Sequence, residues 1–449
     1  MMRPLLERLE SRAAAGRPVT VALAGAGRFG TSIAAQIAQM DGLRLAAVAD
    51  PNADNGAEAL RAAGWADDQW VRCDSTDAVQ SAVETGNAAL APDADALASA
   101  PIEVFVDATG IPEVAARNAW EALGQGRHVV MVTVEADVSC GWALAREARR
   151  QGVVYSLAAG DQPIGIMELF DWAATLGLEP VAVGRGTRLY PHDRHGDADQ
   201  ALERLGYDAE TASRLRLNAQ MYNSFRDGTK SQIEMCAVSN MTGLRPDCRG
   251  MHEPSAGLNE LPNLFAPRDA GGLLRQTGVV DLANAVASDG KSDMPEHIAT
   301  GVWAVVTCGD ERVREDLRLH GTRVSRDEER VLLFREYHLC GVETPLSIAQ
   351  AALLGASSGA PRATPTSEVL AYAKRGLRPG DTLDGSGGRL VYGLIDRAEA
   401  VSADGVLPLG LAYGAVVREA VAADQPIPMR AVSAIGDSFV ARLRDQAGA

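Results

Sequence analysis

Short apolar runs alternate with helical patterns over the first third of the chain. The apolar runs contain almost no polar positions, and amphipathic stretches such as residues 112–124 lie between them. Strands without a polar face are typical of a parallel sheet that helices cover on both sides, and the repeated strand–helix order predicts right-handed crossovers. The pattern therefore predicts a doubly wound parallel sheet of the α/β class, with strands over residues 19–24, 43–49, 102–107, 128–134 and 153–157.

The pattern changes after residue 165. A polar, irregular stretch over 191–223 leads into a strongly apolar helix over about 225–241, and strands follow at 300–307 and 331–334. This mixture predicts an α+β domain. Beyond a Gly/Ser-rich linker, closely spaced turn signals separate short strands, which is typical of a small β-rich domain. We therefore expect three domains, over residues 1–165, 166–356 and 362–449.

Composition limits the classes of partner. The 449 residues include 43 basic and 59 acidic side chains, which gives a formal charge of −16. A nucleic-acid binder needs a positive face, so this balance argues against that class. No run approaches the roughly 18–20 apolar residues that span a bilayer, and the N-terminus lacks the apolar segment of a secretory signal. The six cysteines form no C-x-x-C pair, so we expect free thiols in a cytoplasmic protein without membrane or nucleic-acid partners.

A glycine motif directly follows the first predicted strand. The segment GAGRFG, residues 25–30, fits G-x-G-x-x-G and opens a predicted helix, which is the context in which this motif binds a dinucleotide. The first glycine allows a tight turn, the second lets the backbone approach a pyrophosphate, and the third allows the helix to pack closely on the strand. The phosphates would rest on the helix N-terminus. The predicted cofactor contacts in this loop are Gly25, Gly27, Arg28, Phe29 and Gly30.

Other positions complete the predicted cofactor site. Asp50 ends the second predicted strand, where a carboxylate binds the ribose hydroxyls of the adenosine half and repels a 2′-phosphate. No arginine follows it closely, so the residue chemistry favours NAD(H) over NADP(H). Thr109 and Gly110 follow the strand over 102–107 and fall where the nicotinamide half lies in such sheets. The alternative interpretation of the motif is an ordinary glycine-rich turn.

Acidic residues follow the ends of two predicted strands. Glu135 and Asp137 come after the strand over 128–134, and Asp161 comes after the strand over 153–157. All three should open toward the same crevice. For Asp137 we expect an ordinary loop acid or helix cap. For Glu135 and Asp161, a catalytic role and a solvated loop position are both open.

The apolar helix carries a charged triplet. Asp227, Lys230 and Glu234 share one face at i, i+3 and i+7, whereas the apolar side chains point almost all the way round, which is typical of a buried helix. Buried charges are paired or lie on a cavity. We therefore expect Lys230 to give a proton to a substrate oxygen as hydride moves, with Asp227 and Glu234 as its positioners. The alternative is a salt-bridged surface stripe.

Basic side chains elsewhere are candidates for substrate binding. Arg185 and Arg188 flank a short Gly-containing segment after a strand, an arrangement that suits a phosphate or a carboxylate. Two exposed arginines are the alternative. His338 lies in a mixed polar segment, where a lone histidine is either catalytic or structural.

Several segments together are similar to one family. They are VALAGAGRFG with VADPN, MVTVEADV, SLAAGDQPIGIMELFDWA, YNSFRDGTKSQIEM, EYHLCGVETPLSIA and KRGLRPGDTLDGSGGRLVYGL. The combination resembles the homoserine-dehydrogenase-like oxidoreductases that end in an SAF domain, and within them the 1-deoxy-D-xylulose 5-phosphate reductoisomerase-like (DRL) family. The resemblance implies a Rossmann domain, a central catalytic domain that also forms a homodimer or higher homo-oligomer, and a small β-clip SAF domain. Asn223, in the fourth segment, joins the substrate-binding candidates.

The resemblance also implies NAD(P)H-dependent chemistry on a small polar substrate. In the namesake reaction, 1-deoxy-D-xylulose 5-phosphate is isomerised and then reduced to 2-C-methyl-D-erythritol 4-phosphate, an isoprenoid precursor. Standard reductoisomerases use Mg²⁺ or Mn²⁺, for which Glu135, Asp161 and Glu234 could supply hard oxygen ligands. Two alternatives stay open: an NAD-dependent dehydrogenase of a hydroxy acid, polyol or sugar acid, and a nicotinamide-binding sensor without turnover.

Overall fold

The chain folds into two compact units. The computed structural model describes residues 2–97, 100–215, 217–433 and 438–448. The chain passes from one unit to the other four times, whereas the sequence pattern suggested consecutive domains. The three-domain division stays a prediction. Its predicted domains include some positions outside the described residues, namely 1, 98, 99, 216, 434–437 and 449. Unit 1 consists of Met1–Asp161, Leu339–Ala363 and Asp437–Ala449, and unit 2 consists of Gln162–His338 and Thr364–Gly436.

Unit 1 contains a parallel sheet of seven strands. These strands are β1 (Val19–Ala24), β2 (Leu43–Ala49), β3 (Trp70–Arg72), β4 (Ala88–Ala91), β5 (Val104–Asp107), β6 (His128–Met131) and β7 (Tyr155–Leu157). Their order is β3-β4-β2-β1-β5-β6-β7, with β1 paired to β2 on one side and to β5 on the other. Ligands of such sheets bind outside the carboxyl ends of the strands at this switch point. The predicted doubly wound α/β fold is confirmed.

The helices of unit 1 pack on an apolar core. Leu23, Ile33 and Val48 belong to this core and are fully or almost fully buried. The predicted strand over 128–134 is three residues too long, because β6 ends at Met131 and the next helix begins at Val134. The helices are α1 (Met2–Ala14), α2 (Arg28–Ile37), α3 (Ala53–Ala62), α4 (Thr76–Glu84), α5 (Pro112–Gly124), α6 (Val134–Gln151), α14 (Cys340–Leu354) and α16 (Phe439–Gly448).

Unit 2 contains a mixed six-stranded sheet and a two-stranded antiparallel pair. The sheet order is β12-β13-β11-β8-β10-β9, and the pair is β14-β15. Within the sheet, β10 runs parallel to β8 and β11 runs antiparallel to it. The strands are β8 (Glu179–Thr187), β9 (Arg245–Pro246), β10 (Val279–Asn284), β11 (Val302–Thr307), β12 (Arg323–Val324), β13 (Arg330–Arg335), β14 (Ser367–Ala373) and β15 (Val391–Arg397).

The helices of unit 2 include one that is buried along its whole length. They are α7 (Gln162–Thr175), α8 (Ala198–Arg204), α9 (Ala209–Arg214), α10 (Ala219–Arg226), α11 (Thr229–Thr242), α12 (Leu261–Leu264), α13 (Glu311–Leu319) and α15 (Ala398–Asp404). Every residue of α11 is buried, as its all-round apolar pattern predicted. It packs against α7, β8, β10 and the β14–β15 pair.

The start of this buried helix differs from the prediction. Sequence analysis placed one helix over 225–241, but α10 ends at Arg226 and α11 begins at Thr229. Gly228 lies between them with φ +83°, a left-handed conformation that interrupts a helix and that glycine adopts without strain. The stretch over 191–223, predicted to be irregular, contains α8, α9 and most of α10.

Candidate functional site

The glycine loop in unit 1 has the sterics that its motif predicts. Gly25 has φ +90°, and a Cβ built there would lie 2.6 Å from the carbonyl of Ala108. A Cβ at Gly30 would collide with the carbonyl oxygen of Gly25. Gly27 caps α2, and a Cβ at this glycine would have no neighbour within 4 Å. The turn and the packing therefore require Gly25 and Gly30, whereas Gly27 leaves its side of the loop open to a ligand.

Asp50 is hydrogen-bonded to this loop. Its carboxylate follows β2 and accepts hydrogen bonds from the N–H groups of Ala26 at 2.8 Å and Asn52 at 2.8 Å. Arg28 and Phe29 form the first turn of α2 and are exposed. The N-terminus of α2, the carboxylate of Asp50 and Arg28 thus lie in or next to this loop. This combination can hold the pyrophosphate and a ribose of a dinucleotide.

A buried carboxylate fixes the loops after β5 and β6. Asp107 accepts hydrogen bonds from the Thr109 hydroxyl at 2.9 Å, the Thr133 hydroxyl at 2.8 Å and the Asn118 amide at 3.0 Å. The N–H of Gly110 in turn donates to the Thr133 hydroxyl at 3.0 Å. Thr109 and Gly110, the predicted neighbours of the nicotinamide half, are therefore held by side chains that sequence analysis did not single out.

The acids after the strands have different surroundings. Glu135 and Asp137 lie in the first turn of α6, and Glu135 is half-buried. The expectation of a solvated Asp137 is wrong, because this side chain is fully buried and accepts a hydrogen bond from the Tyr155 hydroxyl at 2.9 Å. Burial raises the pKa of Asp137 to about 7. Asp161 is half-buried, and the Cys340 thiol lies 3.9 Å from its Oδ1 atom.

The charged triplet of unit 2 is buried, but its carboxylates have partners other than the predicted ones. Lys230 is 9% exposed, and Asp227 and Glu234 are almost fully buried. Asp227 pairs with Lys374 at 2.7 Å and accepts the N–H of Thr229 at 2.8 Å. Burial raises the pKa of Asp227, and the ammonium of Lys374 opposes that rise. The alternative of a surface stripe is excluded. The expected positioning of Lys230 by Asp227 is corrected to a pairing of Asp227 with Lys374.

The remaining carboxylate of the triplet also has a cationic partner. Glu234 forms a buried ion pair with Arg185, whose Nε donates to the carbonyl of Gly186 at 2.9 Å. Arg185 is therefore neither exposed nor available as a simple phosphate ligand. Arg188 is partly exposed and pairs with Asp293 at 3.0 Å. It also lies 3.2 Å from His297, so both predicted substrate arginines already have protein partners.

The two other substrate-binding candidates, Asn223 and His338, make backbone contacts. The amide of Asn223 is buried and donates to the carbonyls of Gly196 at 3.1 Å and Gly387 at 2.8 Å. The Nδ1 atom of His338 lies 2.6 Å from the carbonyl of Thr300. Both side chains hold loops in place. Asn223 lies inside α10, which is capped by Asn218.

Lysine usage gives a signal that sequence reasoning missed. Arginine supplies all but three of the 43 basic residues, and the lysines are Lys230, Lys291 and Lys374. Lys291 is exposed, whereas Lys230 and Lys374 are buried and lie at the start of α11 or against it. The rarity of lysine could therefore have pointed to both positions.

The acids proposed as metal ligands are not assembled into a site. Among the residues that the structure describes, no group of three or more His, Cys, Asp or Glu side chains is arranged to hold a metal ion. Glu234 is engaged by Arg185. The donor set therefore does not fit a divalent cation. In the same described ranges, no helix is long and apolar enough to cross a membrane.

Comparisons with known proteins point to one family of catalytic domain. The model of the family described as "Oxidoreductase DRL, catalytic domain" matches residues 160–344. No curated protein matches. Similar solved structures include GenD2 from gentamicin A biosynthesis in complex with NAD, at 14% identity over 75% of this chain and 87% of that chain, with a TM-score of 0.38.

Two further solved structures align over a smaller part. An Agrobacterium radiobacter oxidoreductase in complex with NAD⁺, L-tartaric acid and magnesium is 14% identical over 38% of this chain and 44% of that chain, with a TM-score of 0.29. The WlbA dehydrogenase from Bordetella pertussis, in complex with NADH and UDP-GlcNAcA, is 21% identical over 38% and 47%, with a TM-score of 0.28. The chain thus spans less than half the length of these two. Residues 160–344 of the chain are therefore similar to the catalytic domain of the DRL oxidoreductases.

Proposed function

We propose that this protein is an oxidoreductase and that it uses a nicotinamide dinucleotide, which unit 1 binds. The observation that carries this proposal is the open face at Gly27, where an added Cβ would meet nothing within 4 Å although the flanking glycines are tightly packed. An unhindered backbone at a helix N-terminus is what a pyrophosphate needs. Asp50, next to this loop, favours NAD(H) over NADP(H) because its charge repels a 2′-phosphate. When bound, the cofactor supplies or accepts the hydride.

Lys230 is proposed as the proton donor to the substrate oxygen. It is buried at the start of α11, inside the segment that matches the oxidoreductase catalytic domain. Arg185 on β8 forms an ion pair with Glu234, which lies four residues after Lys230 on α11. This arginine–glutamate ion pair keeps the local charge constant while Lys230 exchanges a proton.

The reaction proposed first is the one that the family similarity implies. 1-Deoxy-D-xylulose 5-phosphate would be isomerised and reduced to 2-C-methyl-D-erythritol 4-phosphate, in a cytoplasmic homodimer or higher homo-oligomer. The segment after residue 362 would be an SAF-like part of the same chain. The match over residues 160–344 supports this reaction class.

A second candidate is an NAD-dependent dehydrogenase of a hydroxy acid, polyol or sugar acid without isomerisation. A specific observation favours it. Arg185 is neutralised by Glu234 and Arg188 is paired with Asp293, so neither predicted arginine is reserved for a phosphate. The described residues also lack an assembled metal site, and simple hydride transfer needs none.

Cofactor oxidation at 340 nm tests both candidates. Purified protein is mixed with 1-deoxy-D-xylulose 5-phosphate and NADH or NADPH, each with and without Mg²⁺ or Mn²⁺. Formation of methylerythritol phosphate supports the reductoisomerase, and demonstrable cofactor binding without oxidation eliminates it. A screen of NAD⁺ reduction with hydroxy acids, polyols and sugar acids then tests the second candidate.

A variant pair separates chemistry from binding in that assay. Lys230→Ala should abolish turnover with any substrate found while cofactor affinity is kept. Lys291→Ala, which changes the exposed lysine, is the matched control and should keep full activity. Full activity of Lys230→Ala would remove this residue from the mechanism.

A further inference from the structure

A short turn in unit 2 is held in an uncommon backbone conformation. Gly250, Met251 and Glu253 have φ values of +77°, +68° and +47°. Left-handed conformations are uncommon for residues other than glycine, and they persist only where the surroundings enforce them. Asp281, which is fully buried on β10, fixes this turn by accepting the N–H groups of His252 at 3.1 Å and Glu253 at 3.0 Å.

The turn brings the imidazole of His252 to two side chains that precede it in the chain. Nε2 of His252 donates a hydrogen bond to Oδ2 of Asp247 at 2.9 Å, and Nδ1 lies 3.8 Å from Sγ of Cys248. Because an ionised carboxylate only accepts hydrogen bonds, Nε2 carries the ring proton and Nδ1 keeps a lone pair toward the thiol. A thiol, a base within reach and a third group that orients the base are together typical of an activated nucleophile.

Asp247 holds the imidazole in this orientation. It is 4% exposed, and its Oδ2 atom also accepts the N–H of Arg275 at 3.1 Å. Burial raises the pKa of this carboxyl, but the N–H of Arg275 and the imidazole of His252 lower it, and the resulting pKa lies below the usual value. Asp247 is therefore ionised at neutral pH, and its charge stabilises the imidazolium that forms when Nδ1 takes a proton.

The thiol reaches the surface of unit 2 but lies among carboxylates. Cys248 is half-buried. Burial raises the pKa of the Cys248 thiol, and the carboxylates of Asp281 and Asp247 add to that rise. Asp396 acts in the same direction, whereas Arg275 opposes it. The thiol is thus protonated at neutral pH and needs a base in order to react as a thiolate, and three acids against one arginine disfavour the approach of an anion.

We propose that Cys248 is a site of covalent modification by small uncharged electrophiles, with His252 as the base. As Sγ forms a bond to the electrophilic carbon, the thiol proton moves to Nδ1 of His252. The bond from that carbon to its leaving group breaks at the same time, and the leaving group departs with the electron pair. No oxidant, reductant or nicotinamide cofactor takes part, so the proposal goes beyond the proposed function and does not depend on it.

Two alkylating reagents test the proposal in the unaltered full chain. Iodoacetamide and iodoacetate have the same reacting carbon and leaving group, but only iodoacetate is an anion. Peptide mass spectrometry measures the rate constant at each cysteine at neutral pH. Cys308, a second half-buried thiol of unit 2 whose carbonyl accepts a hydrogen bond from Arg314, is the internal reference. We expect the ratio of the iodoacetamide to the iodoacetate rate constant to be about tenfold larger at Cys248 than at Cys308, because of the nearby carboxylates.

Substitutions test the base. His252→Gln should lower the iodoacetamide rate constant of Cys248 about a hundredfold, the lower end of what a positioned base contributes, and should leave that of Cys308 unchanged. Asp247→Asn keeps the shape of the side chain but not its charge, and it should lower the rate constant of Cys248 by a smaller factor. His320→Gln, which changes an exposed histidine, is the matched control and should alter neither thiol.

The second thiol also separates a local effect from a loss of fold. A variant that unfolds would expose both cysteines and raise both rate constants, so unfolding cannot imitate the expected result. Equal reagent ratios at Cys248 and Cys308 in the unaltered protein would overturn the proposal, and this comparison needs no variant. A rate constant at Cys248 that His252→Gln leaves unchanged would overturn it as well.

Discussion

We expect the free energy of unfolding to depend strongly on the buried ion pair between Lys374 and Asp227, which precedes the start of α11. Its Nζ and Oδ2 atoms are 2.7 Å apart, and neither side chain is more than 1% exposed. Nζ also donates to the carbonyls of Gly388 at 2.6 Å and Gly196 at 3.1 Å. One lysine thus satisfies a carboxylate and two backbone acceptors that water does not reach.

Lys374→Met removes this cation and leaves the carboxylate of Asp227 buried. Breaking a buried pair from one side costs about 3–5 kcal/mol, because the remaining charge is uncompensated. The double variant Lys374→Met with Asp227→Asn carries no unpaired charge, and we expect it to recover most of the loss. What remains should be about 1–2 kcal/mol, the cost of losing the two hydrogen bonds from Nζ to these carbonyls.

The loss should also depend on pH. Burial raises the pKa of Asp227 even beside Lys374, and removing the lysine raises it further. A native carboxyl with a raised pKa binds more protons than the unfolded one, so the free energy of unfolding falls as pH rises toward the native pKa. Lys374→Met should therefore be less destabilised at pH 5 than at pH 8, and the double variant should not show this difference.

Urea unfolding followed by circular dichroism measures these free energies. Arg245→Met, which breaks the exposed pair with Glu399, is the matched control and should cost no more than about 1 kcal/mol. A loss for Lys374→Met no larger than that of the control would refute the reasoning. So would a double variant that is as unstable as the single one, because the cost would then not come from an uncompensated charge.

Three further predictions concern unit 1. Gly27→Ala should weaken NADH binding about tenfold or more in a fluorescence titration without lowering Tm. Gly30→Ala should lower Tm as well, because its Cβ would collide with the carbonyl of Gly25. Equal Tm values for the two variants would contradict this prediction. Asp50→Ala should reduce the preference for NADH over NADPH, and an unchanged ratio of the two dissociation constants would contradict the assignment of this acid. Burial raises the pKa of Asp137 to about 7, so the free energy of unfolding should fall between about pH 4 and pH 7, by at most about 4 kcal/mol. Asp137→Asn should remove that fall in urea unfolding, and a fall of the same size in the variant would show that another group causes it.

The parts of the fold that depend on near neighbours in sequence were predictable. Alternation of apolar runs and amphipathic stretches is a local property, and it predicted the parallel sheet of unit 1. The glycine motif lies within one strand–turn–helix segment, so the close approach of Gly30 to Gly25 followed from their spacing. The burial of α11 followed from an apolar pattern on all its sides.

The partners of the buried charges were decided by the tertiary structure alone. Periodicity placed Asp227, Lys230 and Glu234 on one face of one helix. The helix is interrupted at Gly228, however, so Asp227 lies outside α11 and pairs with Lys374. Glu234 likewise forms an ion pair with a residue that is distant in sequence, Arg185 on β8. A pattern of residues shows that a charge is buried and needs a counter-charge. Which counter-charge it meets depends on the strand and loop that the fold brings to it, because ion pairing is selected by distance in space and not by spacing in sequence.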